Sequence, residues 1–242
     1  MSRHTTFGIG GPADALVTIK TDQQIKELAG WTRERGYPLM IVGAGSNLVV
    51  RDGGVRGLVL KFGNGFEAIE QATHATPNGS AMVTAGAGVL VRRLGKYALD
   101  HGLAGLNFAL GIPGTVGGAL RMNAGAWGAC MADTTSSIAV LSQNGEIVTM
   151  GKEQLRFSYR RLDLEEGTVI LRGQFELRRA DREALRKEAI QMQRKRRSSQ
   201  PLSLPSAGSI FQNPPGGMSA GEMIDRAGLK GLGIGGAEVS TK

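Results

Sequence analysis

The most informative stretch of this 242-residue sequence is GIPGTVGGALRMNAGAWG, residues 111–128. Six of its eighteen residues are glycine, most of the others are small and apolar, and none is acidic. A segment without large core-forming side chains usually allows another group to approach the backbone closely. Flat cofactors that carry phosphate require such an approach. The segment therefore predicts a cofactor site rather than a packed core.

A second glycine-rich turn, GAGSN at residues 43–47, lies upstream. The apolar run at residues 39–42 predicts a buried strand before this turn, and LVV at residues 48–50 predicts another strand after it. The Rossmann dinucleotide fingerprint needs a helix at that point, so a Rossmann unit is not expected, and the P-loop pattern does not occur in the sequence. Two interpretations of the turn remain equally open: an anion-binding nest of backbone N–H groups, or a plain tight turn.

The flanking sequence predicts a mixed helix and strand chain. Residues 15–20 have the composition of a strand, and Thr21 then offers a cap for a helix whose Ile25, Leu28 and Trp31 recur at helical spacing. Glycine accounts for 37 of the 242 residues, about twice the usual 7%. Because these glycines are not periodic, they indicate many tight turns rather than a fibrous protein.

From residue 55 to residue 177 the apolar runs are short and bounded by turns, which predicts an antiparallel sheet. The Asn144-Gly145 step predicts a hairpin with a type I′ turn. Residues 89–102 predict a helix within this region. A polar helix is expected over residues 181–197, and the Ser- and Pro-rich stretch that follows it indicates a domain boundary.

Two polar motifs carry candidate chemistry. AGSIFQNP at residues 207–214 would place Ser209 and Asn213 on one face of an extended segment, although a loop whose polar side chains bond their own backbone is the simpler interpretation. In FSYRR at residues 157–161, an inward-pointing arginine could bind a carboxylate through its planar fork, although a solvated arginine is commoner.

The composition limits the kinds of ligand that this protein is expected to bind. The net charge is +8 and the sequence pI is about 10.0, which favours anionic ligands. The single cysteine, Cys130, excludes an internal disulfide and fits a reducing cytoplasm, where it is expected to fill space. His4, His74 and His101 lack metal-ligand spacing, so we expect no metal. No leader or membrane-spanning segment is expected from the apolar pattern.

Taken together and in this order, the motifs resemble those of the UDP-N-acetylenolpyruvoylglucosamine reductase family, flavoenzymes of peptidoglycan precursor synthesis. The resemblance runs from one end of the sequence to the other. It is carried by TTFGIGGPA (5–13), VGAGSNL (42–48), GIPGTVGGA (111–119), MNAGA (122–126), FSYR (157–160), AGSIFQNP (207–214) and AGLKG (227–231).

The resemblance implies an α+β fold of three parts. Residues 1–61 and 62–178 would form the two α+β subdomains of the FAD-binding fold found in vanillyl-alcohol-oxidase-type flavoproteins. Residues 179–242 would form an α+β substrate-binding domain.

The resemblance also implies FAD, held without a covalent bond by the two glycine-rich segments. The implied cofactor-binding residues are Gly43, Ala44, Gly45, Ser46, Asn47, Gly111, Pro113, Gly114, Thr115, Gly117, Gly118, Asn123, Ala124 and Gly125.

The implied reaction reduces the enolpyruvyl group of UDP-N-acetylglucosamine enolpyruvate to UDP-N-acetylmuramate, with NADPH as the reductant of the flavin. By match to the family motifs, Arg160 would stabilise the charge that builds on the substrate carboxylate, and Ser209 would donate the proton. Tyr159, Gln212 and Asn213 would bind substrate, Asn213 at the UDP diphosphate. No nucleic-acid, membrane or obligate protein partner is expected.

The sequence departs from the family at two places. Gln212 stands where the family usually has lysine, so a phosphate contact there would be neutral or supplied by another base such as Lys230. Family members also continue past the position of Lys242 with a segment that contains a catalytic glutamate. We therefore expect a chain ending at Lys242 to bind FAD and to reduce substrate poorly.

Two alternatives remain, one from a different class of protein and one on the same fold. A nucleic-acid-binding protein would use the net positive charge and the RKRR run at residues 194–197, but that run ends a helix, where basic residues suit the dipole, and only 5% of residues are aromatic. A different flavin oxidase of the same fold could tether FAD through Cys130. Release of FAD on denaturation would argue against such tethering.

Overall fold

A computed structural model of the chain describes residues 1–73, 76 and 78–242. His74, one of the three histidines considered above, lies outside the described residues. The first elements along the chain are β1 (Ala13–Ile19), α1 (Asp22–Glu34), β2 (Leu39–Ile41), β3 (Val55–Phe62), β4 (Ile69–Gln71), β5 (Ala81–Gly86), α2 (Val91–Asp100), β6 (Leu103–Ala104), α3 (Val116–Arg121), β7 (Gly125–Ala126) and β8 (Ala129–Cys130). They are followed by β9 (Thr135–Leu141), β10 (Ile147–Gly151), β11 (Arg156–Ser158), β12 (Arg161–Asp163), β13 (Val169–Arg179), α4 (Arg182–Ser199), α5 (Ala220–Arg226), β14 (Gly233–Ile234) and β15 (Ala237–Glu238).

The N-terminal part is a three-stranded parallel sheet in the order β1-β3-β2. Helix α1 begins as predicted, with the Thr21 side chain accepting a hydrogen bond from the backbone N–H of Gln24 at 3.2 Å. Ile25 is fully buried against the sheet, whereas Trp31 is 44% exposed and stacks on Tyr37. The predicted apolar face of this helix therefore ends before Trp31.

The middle of the chain is an antiparallel sheet in the order β10-β9-β13-β5-β4, with β6 pairing the end of β13. This confirms the predicted sheet from residue 69 onward and its helix, which is α2. The prediction is wrong for residues 55–62, which form β3 of the parallel sheet. Strand β13 runs through the centre, and helix α3 packs against it and against β5. The main core forms between this sheet and its helices, and its fully buried members include Leu94, Leu120, Ile138 and Phe175.

The predicted strand at residues 48–50 is wrong, because the chain is irregular from the end of β2 to the start of β3. Strands β2 and β3 are adjacent and parallel, so the chain between them must return along the length of the sheet. The LVV run belongs to this crossover. The exclusion of a Rossmann unit holds, since no helix follows the turn at residues 43–47.

The predicted hairpin between β9 and β10 is confirmed, but its turn type is wrong. A type I′ turn needs positive φ at both central residues. Gly145 has φ 82°, whereas Asn144 is not among the non-glycine residues with positive φ in the described chain. Gly145 N–H donates to the Ser142 carbonyl at 3.0 Å, the pattern of a turn closed by one left-handed glycine.

The C-terminal part begins with α4, which confirms the predicted polar helix. Asp181 caps it by accepting a hydrogen bond from the Ala184 N–H at 2.8 Å. After this helix the chain is largely exposed and carries α5 and the small β14–β15 hairpin. Among the described residues, none of the helices has the length and apolar character needed to cross a bilayer.

Candidate active site

The two glycine-rich segments lie against each other. A Cβ at Gly43 would overlap the side-chain oxygen of Thr115, and one at Gly114 would lie 3.1 Å from Ser46 Oγ. The Ser46 hydroxyl donates a hydrogen bond to the Pro113 carbonyl at 3.1 Å. Segments 67 residues apart along the chain therefore form one surface, and glycine is needed at the contact.

The turn at residues 43–47 has unpaired amide groups. None of the described residues accepts a hydrogen bond from these five backbone N–H groups. Gly45 is a buried residue with φ 66°, and an unpaired N–H at a buried residue is costly. Consecutive free amides around a left-handed residue form a concave anion site, which favours the nest interpretation of this turn over the plain tight turn.

Two other glycines of the predicted cofactor set have neighbours within the protein. The N–H of Gly117 donates to the Ala87 carbonyl at 3.0 Å, and a Cβ there would lie 2.9 Å from the Ala87 side chain. A Cβ at Gly111 would lie 2.9 Å from Arg196 Cδ. Packing thus accounts for the absence of a side chain at Gly117, whereas the neighbour of Gly111 is the end of a flexible side chain that can move. The contact of either glycine with a cofactor stays a prediction.

The described non-glycine residues with positive φ gather in this region. Asn123 has φ 39°, Trp127 has φ 60° and Arg160 has φ 58°. Trp127 and Gly128 form the two-residue turn of the β7–β8 hairpin, and both have positive φ. Left-handed conformations at bulky residues cost free energy and cluster at functional sites. Their grouping marks this region as the candidate active site.

Arg160 occupies the tip of the β11–β12 hairpin, in the position that usually takes glycine in a turn with one left-handed residue. Its guanidinium lies 3.5 Å from the Gly125 carbonyl and 5.7 Å from the centre of the Tyr159 ring. Asn123 holds the same hairpin, since its side-chain amide donates to the Ser158 carbonyl at 3.0 Å. No carboxylate of the described residues pairs with Arg160, so its charge is available to a ligand.

The segment of residues 206–213, here called the serine segment, reaches both sides of this region. Thr6 Oγ1 donates to the Ser206 carbonyl at 2.7 Å. At the other end, Tyr159 Oη accepts a hydrogen bond from the Asn213 N–H at 3.4 Å. The structure therefore brings Tyr159, Arg160 and Asn213 together, with Ser209 between the two contacts along the chain.

Ser209, Gln212 and Asn213 are exposed and form no regular strand, so the alternating faces expected for an extended segment are not formed. Lys230, considered as a replacement for the missing lysine, pairs with Asp225 at 2.9 Å. Among the described residues, no group of three or more His, Cys, Asp or Glu side chains is arranged to hold a metal ion.

Two structural contributors were not predicted from the sequence. Thr6 joins the serine segment to the glycine turn, and its place in the TTFGIGGPA motif was the available signal. Arg196 is half-buried against Gly111, and this burial lowers the pKa of its guanidinium. The RKRR run by itself indicates only basic residues at a helix end.

Two family descriptions match the chain: FAD binding domain over residues 13–151, and UDP-N-acetylenolpyruvoylglucosamine reductase, C-terminal domain, over residues 200–242. A curated relative from Desulfosudis oleivorans, named UDP-N-acetylenolpyruvoylglucosamine reductase, is 44% identical over 99% of this chain and 78% of its own length. The chain belongs to the UDP-N-acetylenolpyruvoylglucosamine reductase family. It is therefore an FAD-dependent oxidoreductase, as the motifs implied.

Solved structures agree with this family membership. The crystal structure of UDP-N-acetylenolpyruvylglucosamine reductase from Thermus caldophilus is 35% identical to the chain, with a TM-score of 0.84 over 99% of this chain and 82% of its own. A VAO-type flavoprotein from Myceliophthora thermophila C1 gives a TM-score of 0.54 at 15% identity, over 68% of this chain and 31% of its own. The predicted α+β fold of the vanillyl-alcohol-oxidase type is confirmed. The domain limits and individual site residues of this family member stay predictions.

His4 predicts a pH dependence of stability. Burial lowers its pKa from the ordinary 6.5, and the charges of Lys61, the N-terminus and Arg3 lower it further. The unfolded chain then binds the proton more readily, so this contribution to stability is complete above about pH 6.5 and is lost as pH falls through the folded pKa. We expect His4→Gln to flatten the acid side of the pH profile of urea unfolding. Equal profiles for His4→Gln and the parent would contradict the assignment.

Proposed function

We propose that this family member is an NADPH-dependent flavoenzyme that reduces the enolpyruvyl group of UDP-N-acetylglucosamine enolpyruvate to UDP-N-acetylmuramate, a step of peptidoglycan precursor synthesis. The observation that carries the proposal is Arg160, which lies in a left-handed turn beside the glycine-rich segment and pairs with no carboxylate of the described residues. The names of the relatives supply the substrate class. The single cysteine favours a reducing compartment, and we place the activity in the cytoplasm.

The residues present fit FAD. Five consecutive amides at residues 43–47 have no acceptor among the described residues, and a diphosphate is the kind of group that such a nest binds. Glycine at residues 43 and 114 lets the two glycine-rich segments approach each other closely. We propose that residues 43–47 hold the diphosphate, and that Gly114, Thr115, Gly118 and residues 123–125 line the rest of the site. Bound FAD, reduced by NADPH, would supply the hydride for the substrate double bond.

Arg160 would act on the substrate carboxylate. This carboxylate is conjugated to the double bond, so negative charge builds on it when hydride adds at the far carbon. A guanidinium held beside it by the hairpin, with no competing carboxylate among the described residues, stabilises that charge more strongly in the transition state than in the ground state.

Ser209 would complete the reaction by donating a proton to the carbon next to the carboxylate. A serine hydroxyl is a weak acid, yet the enolate-like form of the substrate is a strong base, so the transfer needs mainly a fixed position. Asn213 would bind the UDP diphosphate, and Tyr159 would hold Asn213 through its backbone contact. Gln212 would give this phosphate site a neutral donor.

The proposal predicts a large effect at Arg160. We expect Arg160→Gln to slow the substrate-dependent reoxidation of the reduced flavin by about 10²–10³-fold, the usual cost of losing one group that stabilises transition-state charge. Reduction of the flavin by NADPH should change far less. Anaerobic single-turnover mixing measures both steps and registers even slow reduction of substrate.

The matched control is Arg161→Gln on the same hairpin. Arg161 pairs with Asp163 at 2.7 Å on an exposed surface, and such pairs contribute little. We expect this variant to stay within about twofold of the parent, in line with that small contribution. Equal slowing in both variants would mean that the hairpin was disturbed, and parental reoxidation in Arg160→Gln would exclude the proposed role.

A further inference from the structure

The serine segment has few attachments to the rest of the protein. In the part of the chain that the structure describes, its hydrogen bonds to residues outside 200–242 go to Thr6 and to Tyr159. The Tyr159 contact is long, at 3.4 Å. The position of Ser209 within this segment therefore depends strongly on Thr6.

Thr6 and Ser206 are joined by two hydrogen bonds. Its hydroxyl donates to the Ser206 carbonyl at 2.7 Å, and its carbonyl accepts from the Ser206 N–H at 3.3 Å. On its other side, the Thr6 N–H donates to the Gly45 carbonyl at 3.2 Å. Thr6 thus connects the turn of free amides to a residue 200 positions away.

The restraint on Ser206 extends along the backbone to Ser209. The Ser206 hydroxyl accepts a hydrogen bond from the Gly208 N–H at 3.0 Å, which closes a short turn. Gly208 has φ 75°, a left-handed conformation that glycine adopts without strain, just before Ser209. Fixing Ser206 therefore fixes the backbone from which the Ser209 side chain projects.

We propose that Thr6 is a positioning residue that holds the serine segment, and with it the Ser209 hydroxyl, at the candidate active site. The inference rests on the proposed role of Ser209. Thr6 acts through Ser206 and Gly208 rather than on the substrate, so its hydroxyl matters and its methyl group does not.

The test uses the FAD-loaded protein with three variants. Thr6→Val removes the hydroxyl at nearly constant shape, and Thr6→Ser keeps it. Thr149→Val makes the same change at an exposed strand position where the structure shows no hydrogen bond from the hydroxyl to any described residue. The rate of amide hydrogen exchange in the peptide covering residues 204–210 reports how firmly the serine segment is held. Single-turnover mixing reports the rate at which substrate reoxidises the flavin.

In Thr6→Val we expect exchange of that peptide to be about fivefold faster, the effect of losing one typical hydrogen bond. Substrate-dependent reoxidation of the flavin should slow by a similar factor, with the substrate concentration for half-maximal rate less affected. Thr6→Ser should restore both values, and Thr149→Val should match the parent.

Three results would overturn the inference: parental exchange in Thr6→Val, faster exchange with parental reoxidation, or a Thr6→Ser variant as impaired as Thr6→Val. Failure of the proposed function looks different. In that case the flavin of the Ser209→Ala variant would be reoxidised at the parental rate. If only the Thr6 inference fails, reoxidation in Ser209→Ala is still slowed.

Discussion

Replacing Ser209 with alanine should slow substrate-dependent reoxidation of the flavin by about 10²–10⁴-fold, the range typical of a lost proton donor. Ser209 is exposed, and no hydrogen bond of its side chain to another described residue is present, so the change removes no structural contact. FAD content, thermal stability and reduction by NADPH should stay at parental values. Single-turnover mixing with mass analysis of the product measures the loss.

Ser203→Ala is the matched control for this prediction. Ser203 is another exposed serine of the same irregular C-terminal stretch, but it lies outside the serine segment. We expect it to reoxidise at the parental rate. If Ser209→Ala falls within about twofold of Ser203→Ala, a figure well below the loss expected for a proton donor, the proton has another source and the role assigned to Ser209 is wrong.

Replacing Gly45 with alanine should have the largest effect on the cofactor site. Gly45 has φ 66°, and a Cβ there would overlap the His4 carbonyl oxygen and lie 2.8 Å from Thr5 Cα. Both clashes involve backbone, so the N-terminal segment must shift. We expect the free energy of unfolding to fall by about 2–4 kcal/mol and FAD to be lost during gel filtration.

Gly53→Ala provides the comparison, because nothing lies within 4 Å of a Cβ at Gly53 and its φ is ordinary. This variant should unfold within about 0.5 kcal/mol of the parent and keep its flavin absorbance. Thermal unfolding with and without added FAD separates the two effects. Parental FAD affinity in Gly45→Ala would show that the free amides at residues 43–47 do not bind the cofactor.

Local signals in the sequence were sufficient for most elements. Thr21 and Asp181 cap α1 and α4 because an N-cap acts on amides only two or three residues away. The short apolar runs and turns of residues 55–177 likewise predicted the antiparallel sheet, although residues 55–62 form β3 of the parallel sheet. Residues 48–50 were misassigned because their β-branched composition is local, whereas the crossover between two parallel strands is imposed by the whole sheet.

The candidate site was predictable in its residue types and much less so in its geometry. The glycines at residues 43 and 45 indicate from the sequence that another group comes close to the backbone. The neighbours that require them, Thr115 and His4, could not be identified, because they are remote in sequence or had no assigned role. The left-handed conformations of Trp127 and Arg160 have no sequence signal, since ordinary turns place glycine or asparagine there. These left-handed conformations are set by tertiary contacts, which the local sequence does not show. The hydrogen bonds between Thr6 and Ser206 are themselves tertiary contacts, so they could not be predicted either.

We propose that the glycine-rich segments bind FAD and that the residues around Arg160 direct its reducing power to an enolpyruvyl UDP-sugar. The most direct test is anaerobic mixing of the NADPH-reduced protein with UDP-N-acetylglucosamine enolpyruvate, beside a control with UDP-N-acetylglucosamine. We predict that flavin absorbance returns with the first compound only, with UDP-N-acetylmuramate as the product by mass. A colourless protein, or a flavin that stays reduced with both compounds, would contradict the account.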